Sequence, residues 1–139
     1  MYEEALAVKD VVGLVIGTRP DCVSNDLLDY LQELNKETFI LVEYGIESAN
    51  NKTLEYINRG HTFECSIDAL ERTHSRGIAT GGHIILGLPG EDKNESIRQA
   101  KLISALPMDI LKIHQMQIIK GTLLARQYNE TPFHLYSVD

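Results

Sequence analysis

The stretch HIILGLPGEDKNES, residues 83–96, joins an apolar run to an acidic, helix-starting segment through a Gly-Leu-Pro-Gly turn. The apolar run is typical of a strand that is covered on both faces. Glycine supplies the positive φ of such a turn, and proline ends the hydrogen-bonded ladder. A glycine at the carboxyl end of a strand also lets a ligand lie against the backbone. The motif GLPGE alone leaves both interpretations open.

The same order of strand and helix recurs along the chain. Apolar runs predict four strands, at residues 11–17, 39–46, 78–88 and 110–118. Helices are predicted to begin after the capping residues Ser24, Thr62 and either Asp92 or Asn94. Regular alternation of this kind predicts parallel strands joined by right-handed crossovers. The length predicts a single domain over residues 1–139.

Unusual side chains share one parity of the last three predicted strands. They are Glu43, Gly45 and Glu47, then His83, Ile85 and Gly87, then Lys112, His114 and Met116. The opposite parity is apolar enough to lie under helices, with Leu111 and Ile113 on the fourth strand. Because charges buried under helices are costly, this pattern favours a barrel lumen over a doubly wound sheet. A complete barrel takes about 250 residues, so the predicted fold is α/β, a partial parallel (β/α) barrel of about four units.

Composition and charge exclude several functional classes. The net charge of −7 and the lack of a Lys/Arg cluster argue against nucleic-acid binding by these 139 residues. No run approaches the ~20 apolar residues of a membrane span, and the N-terminus lacks the features of a secretory signal. The two cysteines, Cys22 and Cys65, fit a reducing compartment and lack the spacing of metal ligands. We therefore expect a cytoplasmic protein without a metal site in this chain.

Two pairs of residues are candidates for chemistry. Glu47 ends the second predicted strand, and Arg59 follows twelve residues later. A carboxylate accepts hydrogen bonds from ribose hydroxyls, and an arginine fork matches a carboxylate, so the pair suits a zwitterionic nucleoside. A surface salt bridge worth at most ~1 kcal/mol is the alternative. His83 and His114 lie on matching faces of adjacent strands, where histidines are either structural or functional.

Five segments, in this order and at these spacings, resemble radical S-adenosylmethionine (radical SAM) proteins. The most similar family is bacterial and related to the radical SAM domain of the Elongator acetyltransferase. The segments are GTRPDCVS (17–24), EYGIESANNKTLEYINRGH (43–61), ALERTHSRGI (69–78), HIILGLPGED (83–92) and KIHQMQIIKGT (112–122). The resemblance covers residues 9 to about 126. It implies that the chain supplies strands three to six of a (β/α)6 barrel.

The resemblance also implies roles for individual residues. Glu47 would contact the ribose of SAM, and Arg59 would bind its methionine carboxylate. Ile85, Gly87 and Leu88 would cradle the adenine. His83 would face SAM, while His114 and Gln115 would lie near the adenine or the substrate.

The sequence departs from the family in one large respect. Family members hold a [4Fe-4S] cluster through three cysteines after strand one, and this chain lacks them. We therefore expect a fragment of a longer enzyme of the Fe-S oxidoreductase type, which cleaves SAM to a 5′-deoxyadenosyl radical. The fragment alone is expected to be inactive and to bind SAM weakly or not at all. The resemblance leaves the substrate open between tRNA and a small molecule.

Three further expectations complete the sequence-based interpretation. The apolar, uncharged strand at 11–17 would be an exposed edge, which favours self-association. A non-catalytic βα scaffold or interaction module is one alternative function. The other is a barrel enzyme that uses Lys112 as a Schiff-base nucleophile.

Overall fold

The structure, a computed structural model, describes residues 1–136. Its elements follow the predicted order: α1 (Tyr2–Leu6), β1 (Gly13–Thr18), a 3-10 turn (Pro20–Cys22), α2 (Asn25–Leu34), β2 (Phe39–Glu47), α3 (Asn51–Tyr56), α4 (Phe63–His74), β3 (Ala79–Leu86), α5 (Lys93–Ile103), β4 (Ile110–Gln115) and α6 (Leu123–Glu130). The alternation of strands and helices is thus confirmed. Among the described helices, none has the length and apolar character to cross a membrane.

The four strands form one parallel sheet in the order β1-β2-β3-β4. Sequential parallel order is what an arc of a (β/α) barrel requires, and it confirms the predicted fold class. The register places Glu43 of β2 opposite Gly17 of β1 and Gly81 of β3. His83 of β3 lies opposite Gly45 on one side and Lys112 on the other.

One face of the sheet carries the hydrophobic core. The centre of this core is β2, from which Ile40, Val42, Tyr44 and Ile46 are almost completely buried. Helices α2 and α4 cover these side chains with Leu28, Leu31, Ala69 and Leu70. Fully burying one such side chain stabilises the fold by about 1.5–3 kcal/mol. The opposite face of the sheet is therefore the one available for polar groups.

Side-chain caps fix the ends of the helices that flank this sheet. Ser24, Thr62 and Asp92 accept hydrogen bonds from the backbone N–H of Leu27, Cys65 and Glu95, respectively. Asp92 rather than Asn94 thus begins α5. Each cap contributes about 1 kcal/mol, and the one at Asp92 fixes where the GLPGE turn ends.

The outer face of β4 differs from the prediction. Leu111 and Ile113 were expected under a helix, but they are 42% and 60% exposed, so that expectation is wrong within residues 1–136. The reason is the position of α6, whose Gln127 and Glu130 line a cavity with Gly90 near the carboxyl ends of the strands. An open apolar groove of about 760 Å³ remains between β4 and α5. The sheet therefore exposes apolar groups at both of its edge strands.

Candidate functional site

The lumen face of the sheet, opposite the core, brings together polar side chains from three adjacent strands. These are Glu43 from β2, His83 from β3, and Lys112 and His114 from β4. The alternation of the sequence predicted that they share a face, and their contacts confirm it. We call these four residues the lumen cluster.

Glu43 is the centre of the lumen cluster. The ammonium of Lys112 donates to both of its carboxylate oxygens, at 2.6 and 2.8 Å. The Nε2 atom of His83 lies 3.2 Å from Oε2 of the same carboxylate. The hydrogen bond from Lys112, and secondarily that from His83, lowers the pKa of Glu43 although burial opposes this shift. Glu43 is therefore an ionised, acceptor-only group at neutral pH.

A small residue makes room for this buried carboxylate. Gly81 lies opposite Glu43 on β3, and a Cβ atom at residue 81 would be only 2.9 Å from Cγ of Glu43. Such a contact is shorter than van der Waals distance, so a larger side chain would displace Glu43. Gly81 of the sequence ATGGHIIL thus shapes the lumen face.

The two histidines extend the cluster toward the open lumen. Nδ1 of His83 lies 3.1 Å from Nε2 of His114, within hydrogen-bond distance. The rings are stacked, with centroids 5.2 Å apart and planes inclined by 21°. Since His83 is only partly exposed and His114 is exposed, the pair leads from the buried carboxylate to the lumen.

The predicted pair Glu47 and Arg59 forms an ion pair with an N–O distance of 3.2 Å. Their side chains are only 17% and 23% exposed, so the pair is not an ordinary surface salt bridge. Arg59 also donates to the carbonyl oxygen of Gly45 at 2.9 Å. Glu47 adopts the left-handed φ of +65°, a strained conformation for a residue with a side chain.

The position of Gly45 shows that the ion pair adjoins the lumen cluster. A Cβ atom at residue 45 would collide with the guanidinium of Arg59 and lie 2.6 Å from Oε1 of Glu47. Both charged groups thus lie directly over Gly45, whose partner on β3 is His83. One continuous polar surface therefore runs from Arg59 to Lys112.

One donor of the ion pair is not used. The Nε atom of Arg59 is buried and has no hydrogen-bond partner within residues 1–136. A buried donor without a partner costs about 1–3 kcal/mol.

The predicted adenine-binding residues lie in different environments. Ile85 is on the lumen parity and pairs with His114, whereas Leu88 is 3% exposed and belongs to the protein interior. Gly87 has a φ of +82°, and a Cβ atom there would be 2.9 Å from the ring of Tyr136. Gln115 has the parity opposite to that of His114 and donates to the carbonyl oxygen of Tyr136. Gly87 and Gln115 thus meet at Tyr136.

Sequence reasoning missed Tyr136 and the partners of Glu91. Glu91, the last residue of GLPGE, is 7% exposed and accepts a hydrogen bond from Ser48 Oγ at 2.5 Å. Gln99 of α5 accepts from the backbone N–H of Ala49 at 2.8 Å. These bonds tie the GLPGE turn to the segment after β2. The acidic end of GLPGE was the available signal for Glu91, whereas no motif marks Tyr136.

The residues present do not fit an iron–sulfur cluster. The chain has two cysteines, of which Cys22 is exposed and Cys65 lies in α4. No three His, Cys, Asp or Glu side chains within residues 1–136 are arranged to hold a metal ion. In the lumen cluster, both nitrogens of His83 are already engaged in hydrogen bonds.

Comparisons with known proteins give one consistent family. A sequence model of the radical SAM superfamily matches residues 1–102. The chain is 39% identical to YtqA of Bacillus subtilis over 138 residues, which are 99% of this chain and 43% of YtqA. It is 42% identical to MJ0486 of Methanocaldococcus jannaschii, covering 92% of this chain and 40% of that protein. The tRNA uridine(34) acetyltransferase of the same archaeon is 30% identical over 90% of this chain and 23% of its own length.

Solved structures agree with this result. The archaeal Elp3 of Methanocaldococcus infernus matches with a TM-score of 0.77 and 28% identity, over 90% of this chain and 29% of that one. Coproporphyrinogen III oxidase (HemN) of Escherichia coli, a radical SAM enzyme, matches with a TM-score of 0.68 over 81% of this chain and 26% of its own. At 22% identity, the second match concerns the fold alone. The chain thus spans less than half the length of each of these proteins.

Proposed function

This chain belongs to the radical SAM superfamily, and we propose that it supplies part of the S-adenosylmethionine pocket of a radical SAM enzyme. In the whole enzyme, SAM and a [4Fe-4S] cluster would together supply the radical chemistry. The residues of this chain would bind and orient SAM for that chemistry. The observation that carries the proposal is the covered Arg59–Glu47 ion pair over Gly45.

Arg59 would bind the methionine carboxylate of SAM. Its buried Nε donor has no partner within residues 1–136, and its NH2 group is already fixed by Gly45 and Glu47. A guanidinium held in one orientation loses little conformational entropy when it binds a carboxylate. Glu47 would accept hydrogen bonds from the ribose hydroxyls, since an ionised carboxylate has only acceptor atoms.

The adenine would lie along the carboxyl end of β3. There Ile85 provides an apolar side chain on the lumen face, and Gly87 and Leu88 provide backbone without large exposed groups. His83 and His114 would face the nucleoside from the neighbouring positions of β3 and β4. Gln115 would take part only after leaving the Tyr136 carbonyl oxygen.

We propose that the cluster ligands belong to a part of the enzyme outside these 139 residues. Two separated cysteines do not hold a four-iron cluster, which takes three or four thiolates. The chain alone should therefore neither assemble a cluster nor cleave SAM. Iron analysis after anaerobic reconstitution tests this: we expect no stoichiometric iron, and about four irons per chain would contradict the proposal.

We propose tRNA as one substrate class for the whole enzyme. This proposal rests on analogy alone, because the name of one relative, the M. jannaschii acetyltransferase, refers to tRNA uridine(34). The net charge of −7 makes this chain a poor source of phosphate contacts. A tRNA substrate would thus be held by basic groups elsewhere in the enzyme, and a small molecule would lie directly over the lumen face.

The alternatives from the sequence are less well supported. A Schiff-base nucleophile must be a neutral amine, whereas Lys112 forms an ion pair with both oxygens of Glu43. A mere scaffold would have no use for the strained φ of Glu47 or for a buried arginine donor without a partner. A measurement of SAM binding distinguishes the scaffold function from the proposed SAM pocket.

The test is an NMR titration of the 15N-labelled chain with SAM, which detects even millimolar binding. We expect shifts confined to Glu47, Arg59, the 83–88 segment, His114 and Gln115. The variant R59Q should weaken binding at least tenfold. The matched control is R76Q. Arg76 also pairs with a carboxylate, that of Asp29, but this pair joins α2 to the residues after α4, on the side of the sheet that the helices cover. Equal binding by both variants would contradict the proposal.

A further inference from the structure

The lumen cluster contains a continuous chain of hydrogen bonds from a buried carboxylate to an exposed imidazole. It runs from Glu43 Oε2 to His83 Nε2 at 3.2 Å, and from His83 Nδ1 to His114 Nε2 at 3.1 Å. Nδ1 of His114 is the last ring nitrogen in this series of hydrogen bonds. None of the roles inferred from SAM binding requires such a chain.

Simple valence rules fix where the protons lie. Glu43 is ionised and accepts from Lys112, so it cannot donate to His83. A neutral His83 ring must then carry its proton on Nε2, and its Nδ1 becomes an acceptor. His114 must in turn donate from Nε2, which leaves its Nδ1 with a free lone pair directed away from His83.

We propose that Glu43, His83 and His114 form a proton relay on the lumen face, with Nδ1 of His114 as the atom that takes a proton from a bound molecule. The partner is an O–H or N–H group of a molecule in the lumen. The role of the relay toward a bound molecule rests on the proposed function, whereas the positions of the protons within the relay do not depend on it.

The proton balance of the relay is complete within these three residues. A proton passes from the bound group to His114 Nδ1, and the bound group keeps the electron pair as its conjugate base. The proton on His114 Nε2 passes to His83 Nδ1. The positive charge then lies on His83, next to the carboxylate of Glu43, and returns by the reverse steps.

The groups that face the relay from each side determine the charge around it. On β1 the residue opposite Glu43 is Gly17, which has no side chain to contact the relay. On β2 the charged groups are Glu43 and Glu47. Lys112 on β4 and Arg59 over Gly45 are the nearby cations. Arg59 pairs with Glu47, whereas Lys112 shares the carboxylate of Glu43 with His83, so a charge on His83 would lie beside one carboxylate and one ammonium.

The experiment determines the tautomers of the histidine rings by long-range 1H–15N NMR on the 139-residue chain at neutral pH, without SAM. We expect both His83 and His114 to carry hydrogen on Nε2. In E43Q, Lys112 should still donate to the oxygen of the new side-chain amide, so the NH2 group of this amide should donate to His83 Nε2. Both rings should then change to the Nδ1–H tautomer, while His61 and His74 serve as unaffected internal controls.

A second variant keeps the test decisive if E43Q does not fold. H83A removes the link, and His114 should then populate both tautomers as a free imidazole does. An Nδ1–H tautomer of either ring in the unaltered chain, or a fixed His114 tautomer in H83A, would overturn the relay. Because SAM is absent from these measurements, their failure is distinct from a failure of the proposed SAM pocket.

Discussion

The guanidinium of Arg59 lies against the backbone of Gly45 and donates to its carbonyl oxygen at 2.9 Å. This contact is possible because residue 45 has no side chain: a Cβ atom would collide with the guanidinium. Glycine at this position of a buried strand thus has a steric reason, although glycine generally weakens strands. The contact places the ion pair on the lumen face rather than at the rim of the sheet.

The first prediction concerns G45A. The added methyl group must displace Arg59 and Glu47, so the free energy of unfolding should fall by about 1–3 kcal/mol, as in other overpacked sites. Urea denaturation measures this change. G17A is the matched control, because Gly17 is on the same face of β1 and a Cβ atom there has nothing within 4 Å. Equal stability of G45A and G17A would contradict the arrangement of Arg59.

The second prediction concerns the turn GLPGE. Gly87 and Gly90 both have positive φ, +82° and +83°, so alanine at either position should cost about 1–2 kcal/mol in backbone strain. Only at residue 87 does the new methyl group also meet the ring of Tyr136. G87A should therefore be less stable than G90A in thermal denaturation. Adding Y136A to both variants should remove the difference, and a persistent difference would show that Tyr136 is not its cause.

The regular parts of this fold could be predicted from the sequence because each depends on local pattern. The parity that joined Glu43, His83 and Lys112 follows from the period of a strand, and Ser24 and Thr62 follow from capping chemistry. The spacing of Glu47 and Arg59 left a salt bridge between them open as the alternative to a nucleoside site. These features need no knowledge of distant packing.

The features that the sequence did not predict depend on contacts between distant segments. Tyr136 reaches Gly87 across almost fifty residues, and no periodicity records such a contact. Leu111 and Ile113 have the apolar pattern of a covered strand, but the path of the chain after β4 leads α6 elsewhere. Pattern indicates which face is apolar, and only the topology decides whether a helix covers it.

The third prediction concerns the acid stability of the fold. Because the pKa of Glu43 is lower in the folded state than in the unfolded state, its contribution to stability is present above the unfolded value of about 4.5. It is lost as the pH falls through the lower, folded value. The stability difference between the unaltered chain and E43Q should therefore be largest near neutral pH and shrink below about pH 4.5. A difference that stays constant across this range, measured by urea denaturation, would contradict the ionised state of Glu43.

The fourth prediction concerns the buried contact between Glu91 and Ser48. E91A removes the nearer of two acceptors of the Ser48 hydroxyl, at 2.5 Å, and leaves only Oε1 of Gln99 at 3.2 Å, so stability should fall by about 1–3 kcal/mol. The control is E33A, since Glu33 forms an exposed pair with Lys36 that should contribute less than ~1 kcal/mol. Chemical denaturation compares the two. Equal losses would show that the GLPGE turn does not depend on this hydrogen bond.

The last prediction concerns self-association, which was inferred from the strand at 11–17. In the structure β1 is an edge strand with Val15 59% exposed, and the other edge strand, β4, exposes Ile113 to 60%. Flat apolar edges pair with other chains, so the 139-residue chain should form dimers or larger species at tens of micromolar by light scattering. V15K and I113K should each shift this equilibrium toward monomer because a lysine on an edge strand opposes pairing. V8K is the matched control, since Val8 is also 59% exposed but lies outside the sheet. A monomeric unaltered chain at these concentrations would refute the prediction.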